Sequence, residues 1–277
     1  MNASRFALVL SLFTAACGSD DSSDGSGGSA GTGGASGGAG GSAGATGGSA
    51  GATGGSAGAG ASGGQTVSYV GTLTGLLPPE PPGKPDYQPL GPLVGAKVCL
   101  HGDATKCATT DSAGKVTVPG IPALSNIGIV VTHADYGRTL LQYTTDGWDE
   151  VHAPGLLASA GVGQWESDAG CGSPGAAGTG LLYIGLPAGS AVSVTPATKV
   201  VYFGSDGVLD PKLTAVAASN TKFGGAVLCD LAPGKYTVDV TGTSGLCSMI
   251  EGWPSPGHSL EALVEADTVT YTNWQCN

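Results

Sequence analysis

Charge is scarce in this chain, and arginine is almost absent from it. Only 11% of the 277 residues are charged, and only 6% are aromatic. Arg138 is the only arginine after residue 17, which excludes an arginine cluster for gripping phosphates. No CxxC pair and no HExxH motif occurs, so the sequence offers no zinc ribbon, thioredoxin-type site or zincin site. We therefore predict no metal site, no cofactor and no enzymatic activity.

Positive charge is the scarcer sign. The chain has 21 acidic and 10 basic residues, a formal net charge of -11. Three of the acids and one of the bases precede residue 66, which leaves 18 acids and 9 bases in the rest. Such a surface repels nucleic acid and anionic headgroups, so we predict no nucleic-acid partner.

Long apolar runs are also missing, and the longest one opens the chain. Arg5 precedes the eight-residue, mainly apolar run 6–13, in which Ser11 is the one polar residue, and Thr14-Ala15-Ala16-Cys17 follows. A run of eight is too short to cross a bilayer and is typical of a cleavable export signal over residues 1–17. An ordinary signal peptide cut after the two alanines would leave Cys17 a free thiol.

The same segment resembles the lipobox of bacterial lipoproteins. The resemblance implies that the Cys17 thiol carries a diacylglyceryl group, which makes the membrane a partner through that lipid. Gly18 follows, where lipoproteins retained in the inner membrane often have aspartate. The resemblance thus implies a lipid-anchored outer-membrane protein whose folded part is periplasmic or surface-exposed.

Residues 18–65 are a low-complexity stretch of Gly, Ser, Ala and Thr after a short acidic start. Such a composition cannot offset its ordering entropy, so we predict a disordered linker. Its root-mean-square span would be about 35–40 Å. The segment Gly40-Gly41-Ser42-Ala43-Gly44 matches the GxSxG esterase elbow but lacks the flanking strand and helix, so we predict no nucleophilic serine.

From Thr66 onward, short β-rich runs alternate with Gly, Asp and Pro turns. Ala96, Val98 and Leu100 alternate with polar residues, and Tyr236, Val238 and Val240 do the same. Turns about every ten residues are typical of β-sandwiches. No amphipathic helix of convincing length is expected. We predict an all-β fold of two transthyretin-like or Ig-like sandwiches, over residues 66–160 and 161–277. The boundary would lie near residues 155–178.

The chain has seven cysteines, an odd number that becomes even when Cys17 is set apart. Six cysteines after an export signal indicate three disulfides in an oxidising compartment. A tight turn at residues 102–104 would place Cys99 opposite Cys107, within bonding range. The other four allow three pairings, of which we favour Cys171–Cys229 and Cys247–Cys276.

Several segments resemble the carboxypeptidase regulatory-like domain, a transthyretin-like sandwich. The matching segments are Leu93–Val98, Thr109–Val118, Gly120-Ile121-Pro122 and Asp135-Tyr136-Gly137. A weaker second copy includes Leu231–Val240. In that family the module has no catalytic role and accompanies an enzyme domain.

The densest polar cluster lies near residue 150 and contains Asp146, Trp148, Asp149, Glu150 and His152. Its acids could bind calcium, but the glycine-spaced loop of a known calcium motif is missing, so a solvated loop is favoured. Exposed tryptophans with nearby acids are typical of sugar-binding sandwiches. Candidate ligand-binding residues are therefore Trp148, Asp149 and Glu150, together with Trp253 in a Gly/Pro-rich loop.

Three functions remain open. The favoured one is a non-catalytic, membrane-anchored surface module for binding or adhesion, whose partner is a glycan or another envelope protein. The second is a purely structural envelope spacer without a ligand. The third is an enzyme whose site matches no motif named above.

Overall fold

A computed structural model describes residues 64–77, 88–172, 178–217, 224–242, 247–256 and 259–276. The predicted signal peptide with Cys17 lies outside these ranges, as do nearly the whole predicted linker and the proline-rich residues 78–87. Within the described ranges, no helix is both long and apolar enough to cross a bilayer.

The predicted all-β fold is confirmed. The strands up to residue 157 are β1 (Thr66–Thr72), β2 (Thr74–Leu77), β3 (Gln88–Pro92), β4 (Lys97–Leu100), β5 (Cys107–Thr109), β6 (Lys115–Pro122), β7 (Asn126–His133), β8 (Tyr136–Thr144), β9 (Glu150–His152) and β10 (Gly155–Leu157). Helix α1 (Ser159–Ala169) follows. The later strands are β11 (Gly180–Gly185), β12 (Ala191–Thr195), β13 (Val201–Phe203), β14 (Leu209–Asp210), β15 (Gly225–Leu231), β16 (Gly234–Thr241), β17 (Cys247–Glu251), β18 (Trp253–Ser255), β19 (Ser259–Val264) and β20 (Val269–Cys276).

A long central sheet joins the two parts of the chain. Its strand order is β14-β13-β15-β11-β20-β8-β7-β4-β5, and β17 also pairs with β20. The last strand, β20, is parallel to both β8 and β11. Strands from before and after residue 160 therefore share one hydrogen-bonded sheet.

The two faces of the central sheet carry different cores. On one face, strands β1 and β6 cover β7 and β8, and the core between them includes Tyr69, Ile129 and Leu141. On the other face, strands β16 and β19 cover β11 and β15, and that core includes Leu182 and Val238. Alternate residues of a strand point to opposite faces, so one sheet serves both sandwiches.

Helix α1 corrects the expectation that no helix would form. It buries Gly161, Trp165 and Ala169, and it ends at Gly170, whose backbone is left-handed with φ 63°. The ring of Trp165 stacks on Tyr183, with 5.1 Å between ring centroids. Two glycines inside the helix lower its intrinsic helix propensity, so the sequence gives little sign of it. The packing of the buried Trp165 against the sheet stabilises the helix.

Two of the three predicted disulfides are confirmed. Cys99 and Cys107 lie opposite each other in the β4–β5 pair and are bonded. Cys171 and Cys229 are bonded across 58 residues. In the β17–β20 pair, Cys247 lies opposite Cys276, but their side chains are outside the described part, so this bond stays a prediction.

Candidate functional site

The loop that precedes β9 meets two other segments at one end of the first sandwich. The backbone N–H of Leu124, in the β6–β7 turn, donates to the carbonyl of Asp146 at 3.2 Å. The side-chain amide of Gln65, just before β1, donates to the carbonyl of Gly147 at 2.8 Å. These two bonds place the β6–β7 turn and the residue that precedes β1 beside the loop that precedes β9.

Three large apolar side chains in this loop, in the β6–β7 turn and in β9 face solvent. Leu124 is 79% exposed, Trp148 is 78% exposed and Val151 is 76% exposed. No other large hydrophobic side chain in the described ranges is more than 51% exposed. We call these three residues the Trp148 surface. Trp148 and Val151 are three residues apart in sequence, and the turn that carries Leu124 is hydrogen-bonded to the loop at Asp146. Exposed apolar residues that concentrate in one region mark interaction sites more often than single ones do.

The backbone beneath Trp148 is held in place by two carboxylates. Asp146 Oδ1 accepts the N–H of Trp148 at 2.7 Å, which forms a tight side-chain-capped turn. Asp149 Oδ1 accepts the N–H of Ser68 in β1 at 2.7 Å. The indole therefore projects into solvent from a loop that is tied at both ends, so little backbone entropy would be lost on binding.

The predicted ligand-binding residues do not all come together. Trp148 and Asp149 lie in the same loop, and Glu150 begins β9 opposite Tyr69 in β1, although its side chain is outside the described part. Trp253 lies elsewhere, in β18, where its ring is half-buried. Its Nε1–H donates to the carbonyl of Ile127 at 2.9 Å, which ties β18 to β7.

The other two tryptophans belong to cores. Trp165 is 4% exposed and Trp274 is 7% exposed, so neither presents its ring to a ligand. Trp148 is thus the one tryptophan whose indole is largely free in solvent.

A buried polar cluster that sequence reasoning missed lies beside this loop. The ring of His152 stacks on Tyr143 at 3.8 Å and on Tyr69 at 5.5 Å between centroids. Glu251 Oε1 lies 3.4 Å from the hydroxyl of Tyr143. Burial raises the pKa of Glu251 to about 7, and the hydrogen bond from Tyr143 offsets part of this rise. Burial also raises the pKa of both tyrosines, so their hydroxyls stay protonated at neutral pH.

This cluster offers little scope for chemistry. Tyr143 is fully buried, and no nucleophile lies against it among its described contacts. In the described ranges, no three His, Cys, Asp or Glu side chains are arranged to hold a metal ion. His133 Nδ1 and Asp135 Oδ2 lie 3.9 Å apart, and Asp135 is 85% exposed at a strand end, as in a turn.

Comparison with known proteins gives only distant likenesses. No family model matches the chain, and no curated protein matches it in sequence. Among solved structures, the Bacillus anthracis TIE protein is 14% identical with a TM-score of 0.24, over 76% of this chain and 33% of that one. The minor pilin GBS52 of Streptococcus agalactiae is 13% identical with a TM-score of 0.21, over 76% and 97% of the two chains. The shaft pilin SpaA of Lactobacillus rhamnosus GG is 11% identical with a TM-score of 0.21, over 76% and 98%.

This chain thus spans about a third of the TIE protein. Likenesses this distant carry no argument about function. The structure itself shows a β-sandwich protein with one largely exposed tryptophan at the end of its first sandwich. The resemblances to bacterial lipoproteins and to the carboxypeptidase regulatory-like domain stay predictions.

Proposed function

We propose that this protein is a non-catalytic binding module outside the cytoplasm, which takes a neutral glycan on the Trp148 surface. The observation that carries the proposal is the indole of Trp148, 78% exposed on a loop that is tied down by hydrogen bonds. The predicted lipid on Cys17 would hold the module at the outer membrane, and the linker would lift it off the headgroups.

The chemistry around the indole suits a sugar ring. The C–H face of a pyranose packs on an aromatic face, and an indole offers the largest such area. The second carboxylate oxygen of Asp149 has no partner among the described residues, so it can accept a hydrogen bond from a sugar hydroxyl. The folded part carries a formal excess of nine acids, which disfavours anionic glycans and supports a neutral one.

A glycan array on the purified protein, followed by calorimetry with the best neutral oligosaccharide, tests the proposal. Trp148→Ala should abolish binding while changing stability by less than about 0.5 kcal/mol, because the side chain packs on little. Leu90→Ala is the matched control, since Leu90 is 51% exposed on β3 and lies outside the Trp148 surface. Equal affinity of wild type and Trp148→Ala would contradict the site.

The array also separates the alternatives. No signal from any glycan would contradict glycan binding and favour the ligand-free envelope spacer. The anchor is tested separately by mass spectrometry of the mature N-terminus. An acylated Cys17 would support lipid anchoring, and an unmodified cysteine would support the ordinary signal peptide.

A further inference from the structure

A groove of about 360 Å³ lies between α1, the start of β8 and the β19–β20 turn. Its apolar walls include Val162, Leu181 and Val269. Its charged lining consists of Arg138, Glu166 and Asp267. Small-molecule sites in proteins are typically this size or larger, with apolar walls and a few convergent polar groups. None of the residues that line the groove belongs to the β9 loop, so the groove is independent of the proposed glycan site.

Arg138 is held in place at one end of the groove. Its Nη1 donates to Glu265 Oε2 at 2.6 Å and also to the hydroxyl of Thr268. The other oxygen of Glu265, Oε1, lies 2.7 Å from His101 Nε2. Burial alone would raise the pKa of Glu265, but the hydrogen bonds from His101 and Arg138 lower it, so the carboxylate stays charged beside the guanidinium.

These contacts use only one nitrogen of the guanidinium. Among the described residues, Nε and Nη2 of Arg138 have no hydrogen-bond partner. That edge presents two parallel N–H donors, the geometry that matches a carboxylate in a bidentate pair. Because Glu265 and Thr268 fix the side chain, little rotamer entropy remains to be lost when a carboxylate binds.

Negative charge lines the rest of the groove. Glu166 projects from α1, and Asp267 lies in the β19–β20 turn. Asp267 Oδ1 accepts the N–H of Gly178 at 3.2 Å, and its second oxygen has no partner among the described residues. Carboxylate oxygens in this position suit an ammonium group. A purely anionic ligand would be repelled by these two acids and by Glu265. A purely cationic ligand would be repelled by Arg138.

We propose that this groove binds a zwitterion: an α-amino acid, free or at the end of a peptide, with an apolar side chain. The ligand carboxylate pairs with the Nε–Nη2 edge of Arg138. The ligand ammonium faces Asp267 and Glu166. The apolar side chain packs on Val162 and Val269.

Calorimetric titration of the full chain with L-leucine tests the zwitterion requirement. Isoamylamine lacks the carboxylate, and 4-methylpentanoate lacks the amine. We expect L-leucine to bind and each singly charged analogue to bind at least about tenfold more weakly. No binding of L-leucine, or equal binding of either analogue, would overturn the proposal.

Two substitutions on α1 locate the site. A Cβ added at Gly163, which lines the groove, meets nothing within 4 Å, so Gly163→Leu should fill the groove without a clash and without weakening the helix. Ala160→Leu is the matched control, because Ala160 is exposed on α1 and does not line the groove. We expect Gly163→Leu to abolish leucine binding and Ala160→Leu to preserve it. Equal binding by both variants would place the ligand elsewhere and overturn the proposal.

A third variant tests the role of the arginine edge. Arg138→Lys keeps a positive charge beside Glu265 but removes the second pair of donors. We expect L-leucine to bind about tenfold more weakly to this variant, with the far-UV circular dichroism unchanged. Unchanged affinity would show that the guanidinium does not hold the carboxylate.

Discussion

Glu251 should make the stability of this protein depend on pH in a direction unusual for a carboxylate. Burial raises its pKa from 4.5 to about 7 in the folded protein. A rise of about 2.5 in pKa corresponds to about 3 kcal/mol. The folded state binds this proton more tightly than the unfolded state does. The contribution of Glu251 to the free energy of unfolding is therefore fully present below pH 4.5. It falls as the pH rises from 4.5 to about 7 and then stays level.

Glu251→Gln isolates this effect, because glutamine has nearly the shape of the protonated carboxyl group. The free energy of unfolding, measured by urea denaturation from pH 4 to pH 8, should be similar for both proteins at pH 4. At pH 8 the variant should be more stable by about 3 kcal/mol. Taking the difference between the two proteins cancels the titration of the other groups they share.

His152 is the one neighbour that needs a control. Its ring stacks on Tyr143, the tyrosine that contacts Glu251, so its replacement shows whether the pH dependence comes from the carboxyl group. The same pair of curves in a His152→Gln background should keep its divergence between pH 4.5 and pH 7. Parallel curves in both backgrounds would refute the reasoning, since they would mean that the carboxyl group is not protonated in the folded protein.

Two further predictions concern the links within the fold. Removing the Cys171–Cys229 bond by a double alanine substitution should lower the free energy of unfolding by about 4 kcal/mol. The reason is that the bond closes a loop of 58 residues, which becomes free in the unfolded chain. A loss under about 1 kcal/mol, measured by urea denaturation, would argue against this. Trp253→Ala should cost about 2 kcal/mol, and Trp253→Phe about 1 kcal/mol, because only the second keeps the packing of the ring while losing the bond to Ile127. Equal melting temperatures for wild type and both variants would show that β18 is not held by this tryptophan.

Local patterns in the sequence were enough to predict the strands. The alternation around Ala96, Val98 and Leu100 predicted which side chains are buried, and all three are. The bond between Cys99 and Cys107 followed from the length of one turn. Such features depend on residues less than about ten positions apart, where the geometry of a strand or hairpin leaves few choices.

The candidate site was predicted only in part. Trp148 and Asp149 were singled out because tryptophan and acids stood together in a loop, and the structure adds the exposure of the indole. Trp253 was singled out on the same grounds, but its half-buried ring lies against β7. Sequence composition shows that a tryptophan is near a turn, but it does not show what packs on the ring.

The sequence by itself determined the strand-rich character, the turn-linked disulfide and the negative surface, since each depends on composition or on short-range spacing. Only the tertiary structure decided that β20 pairs with β8, that Glu251 is buried against Tyr143, and that Arg138 is clamped by Glu265. These contacts join residues more than 100 positions apart. An alternating pattern fixes the face on which a side chain lies, but the strand that covers that face is chosen by packing across the whole molecule.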